Sequence, residues 1–483
     1  MRMLLDNLGS ITDWRSGDTW EAGQVHAQAA GMAATLAEHD IGPGNRVVMW
    51  HGGDGRFFAD LFAIWQRGAC AICLNPNTTV AELRTIVDFV EPAAMIDRTA
   101  DRIPTDIGIA SIASESIEPS SGRLSAGGGG LDDDALILFT SGTTGTPKGV
   151  LHTFRSLLTR VALNQANIAR DERARTLCVL PTHFGHGLIG NCLTALLDGQ
   201  DLVLAPGTNL DVTAELGAII DEHAITFMSS VPTLWKHVTA NAKPPANNTL
   251  KRVHVGSAPL SADLWQAVGD WSGIDRVLNM YGITETANWL AGASLEAGKP
   301  VDGLIGSMWG GSIAVLDDEG NVSSQGEGEL LVQSPSLMKG YFRLPEKTSE
   351  VLRDGWFYTG DIGHIDEAGI ARLTGRERYQ INRGGLKVHP EDIDLLLERH
   401  ETVGEACAFA VPHETEGETI GVALALQPGA EFDERGIRRW CSERLSREKI
   451  PVRWFVVDTI PKTDRGKINR DVVAAHCLEE AQG

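Results

Sequence analysis

The chain has 483 residues, more than a single hydrophobic core usually serves, so two or more domains are expected. Its 42% hydrophobic and 22% charged residues are those of a globular protein, and a net charge of −22 repels nucleic acid and anionic membrane surfaces, which excludes both as partners. No apolar run approaches the ~20 residues of a membrane span, and the N-terminus MRMLLDNLGSITDW lacks a sustained apolar signal core, so the expected location is the cytoplasm.

From Ala22 to His39 apolar residues recur at helical spacing, and Arg46 to Trp50 reads as a strand. A helix is predicted at Arg56 to Arg67, a strand at Cys70 to Leu74, a helix at Val80 to Val90 and a strand at Ala93 to Ile96. This alternation predicts a layered α/β domain. The seven cysteines are odd in number and scattered, which is not a disulfide framework. Cys70 and Cys73 form a C-x-x-C, but CAICL reads as a buried strand in which cysteine serves as a small apolar residue. Ser120 to Gly130, SSGRLSAGGGG, reads as a flexible linker, and Asp132 to Asp134 as a solvated lead-in to the next strand.

The most informative stretch is Leu138 to Val150, LFTSGTTGTPKGV. It follows a predicted buried strand, Ala135 to Phe139, and leads into a predicted helix, His152 to Ala166. Ser141, Thr143, Thr144 and Thr146 bring hydroxyls, and Gly142, Gly145 and Gly149 let the backbone approach an anion closely. Lys148 adds a positive charge. A strand, a donor-rich loop, a lysine and a helix N-terminus are the parts of a polyphosphate cradle. The Walker pattern is absent, because Pro147 and Gly149 flank the lysine where that pattern needs glycine and a hydroxyl.

Further on, Leu177 to Leu180 and Leu202 to Leu204 read as strands around a helix at Leu188 to Leu197. The turn between them, PTHFGHG at Pro181 to Gly187, offers His183 and His186 either to a substrate or to solvent. Lys251 to Leu260, KRVHVGSAPL, reads as a strand ending in a turn of small residues. Val277 to Thr286, VLNMYGITET, delivers an aromatic face at Tyr281, a hydroxyl at Thr284 and a hard carboxylate at Glu285, a trio that suits a nucleotide with its magnesium. Gly326 to Gln333 reads as a turn and strand, and DGWFYTGDIGHIDEAG places Asp361 before Gly363. After GRERYQINRGGLKVHPEDID come a predicted helix at Glu391 to Glu398, strands at Ala406 to Val411 and Ile420 to Leu426, and a helix at Glu434 to Leu445, a compact α+β domain that ends in PKTDRGKINR.

In order and over nearly the whole chain, five of these motifs resemble those of the acyl-adenylate-forming superfamily, which includes acyl-CoA ligases, luciferases and peptide-synthetase adenylation domains. The resemblance implies a large N-terminal layered α/β domain, residues 1–377, and a small mobile α+β C-terminal domain, residues 378–483. Arg378 falls at the hinge, where relatives usually carry Asp or Lys, and Tyr379 replaces a usual acidic residue. It assigns Thr140, Ser141, Gly142, Thr143, Thr144, Gly145 and Lys148 to the phosphates, and Gly256, Ser257, Ala258 and Pro259 with Tyr281 to adenine. Thr284 and Glu285 fall to catalysis, with Glu285 on Mg2+, and Asp361, a bidentate acceptor expected at the end of a strand, and Arg376 fall to the ribose hydroxyls. Lys467 would bridge the substrate carboxylate and the α-phosphate, while Gly384 and Gly385 would line the tunnel for the thiol. His183, Phe184, Gly185, Gly282 and Ile283 would border the acid, with Phe184 standing where relatives often have the histidine of P-x-x-H.

The implied reaction activates a carboxylic acid with ATP and Mg2+ as acyl-adenylate, releasing pyrophosphate, and then transfers the acyl group to coenzyme A. A carrier-protein thiol or a non-thiol nucleophile is the alternative acceptor. PTHFGHG lacks the aspartate that pairs with an α-ammonium in amino-acid-activating relatives, and the glycines with Trp289 suit an aryl or other modest-sized acid better than a long fatty acid. A P-loop kinase is disfavoured by the missing G-K-[ST], and a catalytically dead relative by Lys467, Glu285 and Asp361.

Overall fold

Arg46–Met49, Cys70–Cys73 and Ala94–Asp97 are short runs of mostly apolar residues between helices, and in the computed structural model of the chain they lie side by side and parallel. The structure describes residues 7–121, 129–140, 148–205, 210–257, 260–317, 319–376, 381–388, 390–461, 468 and 470–480. The sheet continues in the order Gly340–Tyr341, Lys148–Thr153, Asp134–Thr140, Cys70–Cys73, Arg46–Met49, Ala94–Asp97, Ala110–Ala113. Parallel strands need cover, and helices Ala22–Glu38 and Gly55–Gln66 bring Val25, Met32, Phe57, Phe58, Leu61 and Phe62 to the core beside it. Asp54 caps the second helix by accepting from the Phe57 N–H at 3.0 Å, a contact of about 1 kcal/mol. Cys70 and Cys73 are buried and unpaired, and burial pushes the Cys73 thiol up to about 12, so the strand reading of C-x-x-C holds.

A second sheet runs parallel through Asp201–Leu204, Arg175–Cys178, Phe227–Ser230, Arg252–Gly256 and Val277–Ile283, then turns antiparallel at Asn288–Ser294 and Leu304–Met308. Ligands of α/β sheets gather at the carboxyl ends of parallel strands. Here those ends lead into 181–187, 257–260 and 284–286, three of the segments singled out in the sequence.

Two local expectations are corrected and a third is refined. The segment after the phosphate-loop stretch is a strand, Lys148–Thr153, and the helix starts only at Phe154. Val150 and Leu151 pair with Tyr341 and Gly340, and the Thr153 hydroxyl accepts from the Ser156 N–H at 3.1 Å, so the cap that begins the helix sits at Thr153. In sequence the loop therefore links two strands, Asp134–Thr140 and Lys148–Thr153, and the helix begins only after the second. The helix read at Leu188 to Leu197 is present, as a π-helix His186–Leu193 that runs into the short α-helix Thr194–Leu196. Asp361 lies inside the long strand Trp356–Ile365, not at a strand end.

By contacts the chain divides into two units, the first made of 1–76, 90–138 and 149–375 and the second of 77–89, 139–148 and 376–483. The second has its own sheet, in which Leu386–Val388, Ile381–Arg383, Gly417–Leu426 and Val403–His413 are antiparallel neighbours and Arg453–Val456 runs parallel to Gly417–Leu426. Helices Pro390–Leu397 and Glu434–Ser442 pack around Ile393, Leu397, Val403, Ile420, Val422 and Leu424, and helix Arg470–Glu480 brings Val473 and Cys477 to a second cluster with Cys407, Phe409 and Ala423, completing an α+β unit. Its buried Arg470 meets Asp394 at 2.9 Å. The boundary expected at 377/378, with Arg378 and Tyr379, lies outside the described residues. Among those residues no helix is long and apolar enough to cross a membrane.

Candidate active site

Strand Val277–Ile283 is apolar and buried along most of its length, and its last residues carry chemistry. The Tyr281 hydroxyl donates to Asp361 Oδ2 at 2.7 Å, with both side chains buried. Residues predicted separately for nucleotide binding are thus in direct contact across 80 positions of sequence. Asp361 is oriented further by its own N–H, which donates to the Thr359 hydroxyl at 3.0 Å, while that hydroxyl donates to the Leu330 carbonyl. Next to Tyr281 the strand pairing slips by a residue, and a Cβ on Gly282 would sit 2.3 Å from the Asn288 carbonyl oxygen. Close strand approach therefore explains Gly282 without a ligand.

Glu285 follows in the one-turn 3₁₀ segment Thr284–Thr286. Its Oε1 accepts from the Tyr341 hydroxyl at 2.7 Å, and its carbonyl accepts from the Met338 N–H at 2.7 Å. The Thr284 carbonyl is met by His152 Nε2 at 2.8 Å. Burial holds the His152 imidazole down to about 4, against the opposing pull of that carbonyl and of Glu285, so at neutral pH it is uncharged and Nε2 carries the proton. Nothing in the local pattern marks Tyr341, Met338 or His152, because each acts across 50 or more positions. The nearest sequence signal is the Gly340–Tyr341 pair, which forms a two-residue strand.

The turn Pro181–Gly187 is different in kind. His186 is buried, with Nδ1 2.8 Å from the Ser257 hydroxyl and Nε2 2.5 Å from the Ser229 hydroxyl, so it is not a solvated loop histidine. Burial lowers its pKa to about 3, and one ring nitrogen donates while the other accepts. Its ring stands edge-on to Trp289, which also meets His254, Phe227 and Trp309 edge-on. Burial likewise holds His183 down to about 4, although part of the residue still reaches solvent. Phe184 and Gly185 are partly buried beside it, and Ile283 is buried on the neighbouring site strand. Ser257 has φ +66°, an uncommon backbone for serine, immediately after Gly256 at the end of its strand.

Several expected site residues, Ser141, Gly142, Thr143, Thr144, Gly145, Ala258, Pro259 and Lys467, lie outside the described residues, as do the side chains of Thr140 and Arg376. Lys148 opens its strand with a partly buried side chain. Within the second unit Gly384 and Gly385 turn the hairpin between Ile381–Arg383 and Leu386–Val388 at φ +59° and +88°. That turn requires glycine by itself.

Among the described residues no group of three acidic, histidine or cysteine side chains could cage a metal. A single carboxylate held by a tyrosine fits Mg2+, which takes one or two protein carboxylates and completes its shell with water and substrate phosphate oxygens. Asp361, buried next to a hydroxyl donor, has the acceptor chemistry for a sugar diol.

The sequence profile of the family described as AMP-binding enzyme matches residues 10–342, and that of the AMP-binding enzyme C-terminal domain matches 392–467. An oxalate–CoA ligase of Arabidopsis thaliana is 34% identical over 72% of this chain and 68% of its own length. A feruloyl-CoA synthase of Amycolatopsis sp is 30% identical over 92% and 91%. Among solved structures, the amide bond synthetase McbA from Marinactinospora thermotolerans superposes with a TM-score of 0.88 at 26% identity, covering 98% of this chain and 99% of that one. These matches show that the chain belongs to the AMP-binding, acyl-adenylate-forming enzyme family.

Proposed function

We propose that the protein is an AMP-forming acid–thiol ligase of the acyl-CoA synthetase type. A carboxylate oxygen attacks the α-phosphorus of ATP, pyrophosphate leaves, and the thiol of coenzyme A then attacks the acyl carbon and releases AMP. The observation that carries this reading is the Tyr281–Asp361 contact beside the Glu285 turn, because it joins residues that the family pattern gives to one nucleotide. Asp361 and Arg376 hold the ribose, Tyr281 faces the base, and Glu285 is the protein ligand of Mg2+, which neutralises charge on the phosphate oxygens when bound. The loop from Thr140 to Gly145, with Lys148, holds the polyphosphate, and Lys467 supports the α-phosphate as charge develops. Gly256 to Pro259 support adenine, and Gly384 with Gly385 admit the thiol once the C-terminal domain, here taken as 378–483, turns.

The acid side is bordered by His183, Phe184, Gly185, Gly282 and Ile283, with His186 and Trp289 behind. Two uncharged imidazoles, His183 and the His186 ring edge-on to Trp289, favour an aryl or other modest-sized acid over an α-amino acid, whose ammonium finds no carboxylate in PTHFGHG. The likeness to a feruloyl-CoA synthase points the same way. The likeness to an amide bond synthetase supports a second reading, in which an amine takes the place of the thiol. A panel of carboxylates scored by pyrophosphate release, alone and with coenzyme A, an amine or a carrier protein, tests both. Thioester with coenzyme A is expected; amide only, or carrier-bound acyl only, would replace the primary acceptor, and release of orthophosphate would overturn adenylation.

A further inference from the structure

Arg160, on helix Phe154–Asn167, has 0% of its surface exposed. Its Nε and Nη2 donate to the Ser336 hydroxyl at 3.1 and 2.6 Å, Nη2 also to the Ser334 hydroxyl at 3.2 Å, and Nη1 to the Trp309 carbonyl at 3.4 Å. Every one of these acceptors is neutral. Other buried arginines of the chain meet carboxylates, as Arg173 meets Asp198, Arg252 meets Glu172 and Arg470 meets Asp394. Burying a cation without a counter-charge costs several kcal/mol even after relaxation. Burial lowers the Arg160 pKa to about 10, which still leaves it charged at neutral pH.

Its hydrogen bonds lead to one place. The Ser336 hydroxyl, held by Arg160, donates to the Thr286 carbonyl at 3.1 Å, and Ser334 and Ser336 are 2.9 Å apart. Two residues later the Met338 N–H donates to the Glu285 carbonyl, and Tyr341 reaches the Glu285 carboxylate. The segment from Ser334 to Tyr341 thus spans from Arg160 to the turn that presents Glu285. His152, just before the same helix, holds the preceding carbonyl of that turn, Thr284.

We propose that Arg160 is a positioning residue for Glu285: through Ser336 and Thr286 it locks the carboxylate turn in the geometry that receives Mg2+ with the nucleotide. A neutral side chain of similar length would fill the space. A charged fork also strengthens the hydroxyl-to-carbonyl chain it feeds, because a charge-assisted donor polarises the next bond. This inference rests on the reading of Glu285 as the Mg2+ ligand.

The test uses the full chain saturated with α,β-methylene-ATP, into which Mg2+ is titrated by calorimetry, with the unfolding midpoint measured in parallel. Arg160→Met should weaken Mg2+ binding about tenfold, the lower range for loss of an outer-shell partner, while affinity for the carboxylate moves less than about twofold. Arg160→Lys should fall between the two, and Ser336→Ala, which keeps Arg160 but cuts the link to Thr286, should weaken Mg2+ in the same direction. If Arg160→Met does not fold, Ser336→Ala and Arg160→Lys carry the test. Unchanged Mg2+ affinity in the folded variants, with Glu285→Gln strongly weakened, overturns the role of Arg160 and leaves Glu285 in place. Unchanged affinity in Glu285→Gln as well overturns both.

Discussion

The corner of Tyr281, Glu285 and Asp361 and the turn from Pro181 to Gly187 lie at strands of one sheet, yet they are built on opposite principles. In the corner, each carboxylate accepts a 2.7 Å hydrogen bond from a tyrosine far away in sequence. Around the turn, two serine hydroxyls hold His186, but the rings beside it meet edge to face, and the buried Trp289 Nε1, His254 Nδ1 and Asn288 Nδ2 have no hydrogen-bond partner among the described residues. Removing one partner from a satisfied buried pair strands the other, whereas a cage of rings can be reshaped by changing one residue. On the function proposed above, the corner serves the nucleotide, the part common to all substrates, and the cage serves the acid, which differs among relatives named for oxalate and for ferulate.

The sharpest way to break this division is at the phosphate. Lys467→Ala should cost adenylation ~100-fold or more, as loss of a charge stabiliser in the transition state does, while a synthetic acyl-adenylate is still accepted in the thiol step. Single-turnover pyrophosphate release near the parent rate would remove Lys467 from the account. Next in size, Tyr281→Phe leaves Asp361 without its tyrosine donor and should raise the KM for ATP about tenfold while the KM for the acid moves less than about twofold. If both constants rise together, the corner does not belong to the nucleotide alone.

On the other side, His186→Asn keeps hydrogen-bonding capacity but empties part of the ring cage, and should change the kcat/KM ratio between two acids about tenfold with the KM for ATP almost unmoved. A changed ATP constant with unchanged acid ranking would reverse the assignment. The smallest expected effect is on stability. His152, His183 and His186 are held neutral below their ordinary pKa by burial, with folded values of about 4, 4 and 3. The unfolded chain therefore binds more protons than the folded one below about pH 6.5, and each such histidine removes stability as pH falls, by up to about 1.4 kcal/mol per pH unit. That stability is present above pH 6.5 and lost toward pH 4. Urea midpoints at pH 7 and 5 should differ less in His186→Asn than in the parent, and an equal difference would contradict the buried neutral state.

Much of the frame is legible in the sequence because its signals are local. Apolar runs such as VVM at 47–49 and AIC at 71–73 become parallel strands, and the segments after Cys178, Gly256 and Ile283 stand out by their small and polar residues. GVLHTF is short and apolar enough to read as either element, and its pairing with Gly340–Tyr341, nearly 200 positions away, decides for a strand. The Tyr341, His152 and Arg160 contacts are illegible for the same reason, since each depends on where a distant segment lands. His183 and His186 differ only in neighbours that the sequence does not show: two serines enclose the second, and part of the first still reaches solvent. Gly384 and Gly385 invite a ligand-based reading from sequence, yet a hairpin with positive φ requires them regardless.

The proposed reaction turns on attack by a carboxylate oxygen on the α-phosphorus of ATP. The most direct measurement uses an acid labelled with ¹⁸O in its carboxylate, turned over with ATP, Mg2+ and coenzyme A, with the products resolved by mass spectrometry. Attack on the α-phosphorus places one carboxylate oxygen in the P–O–C bridge, and when the thiol takes the acyl carbon that oxygen leaves with AMP. AMP carrying one ¹⁸O and unlabelled pyrophosphate are expected. Unlabelled AMP, or label in orthophosphate, would contradict this attack.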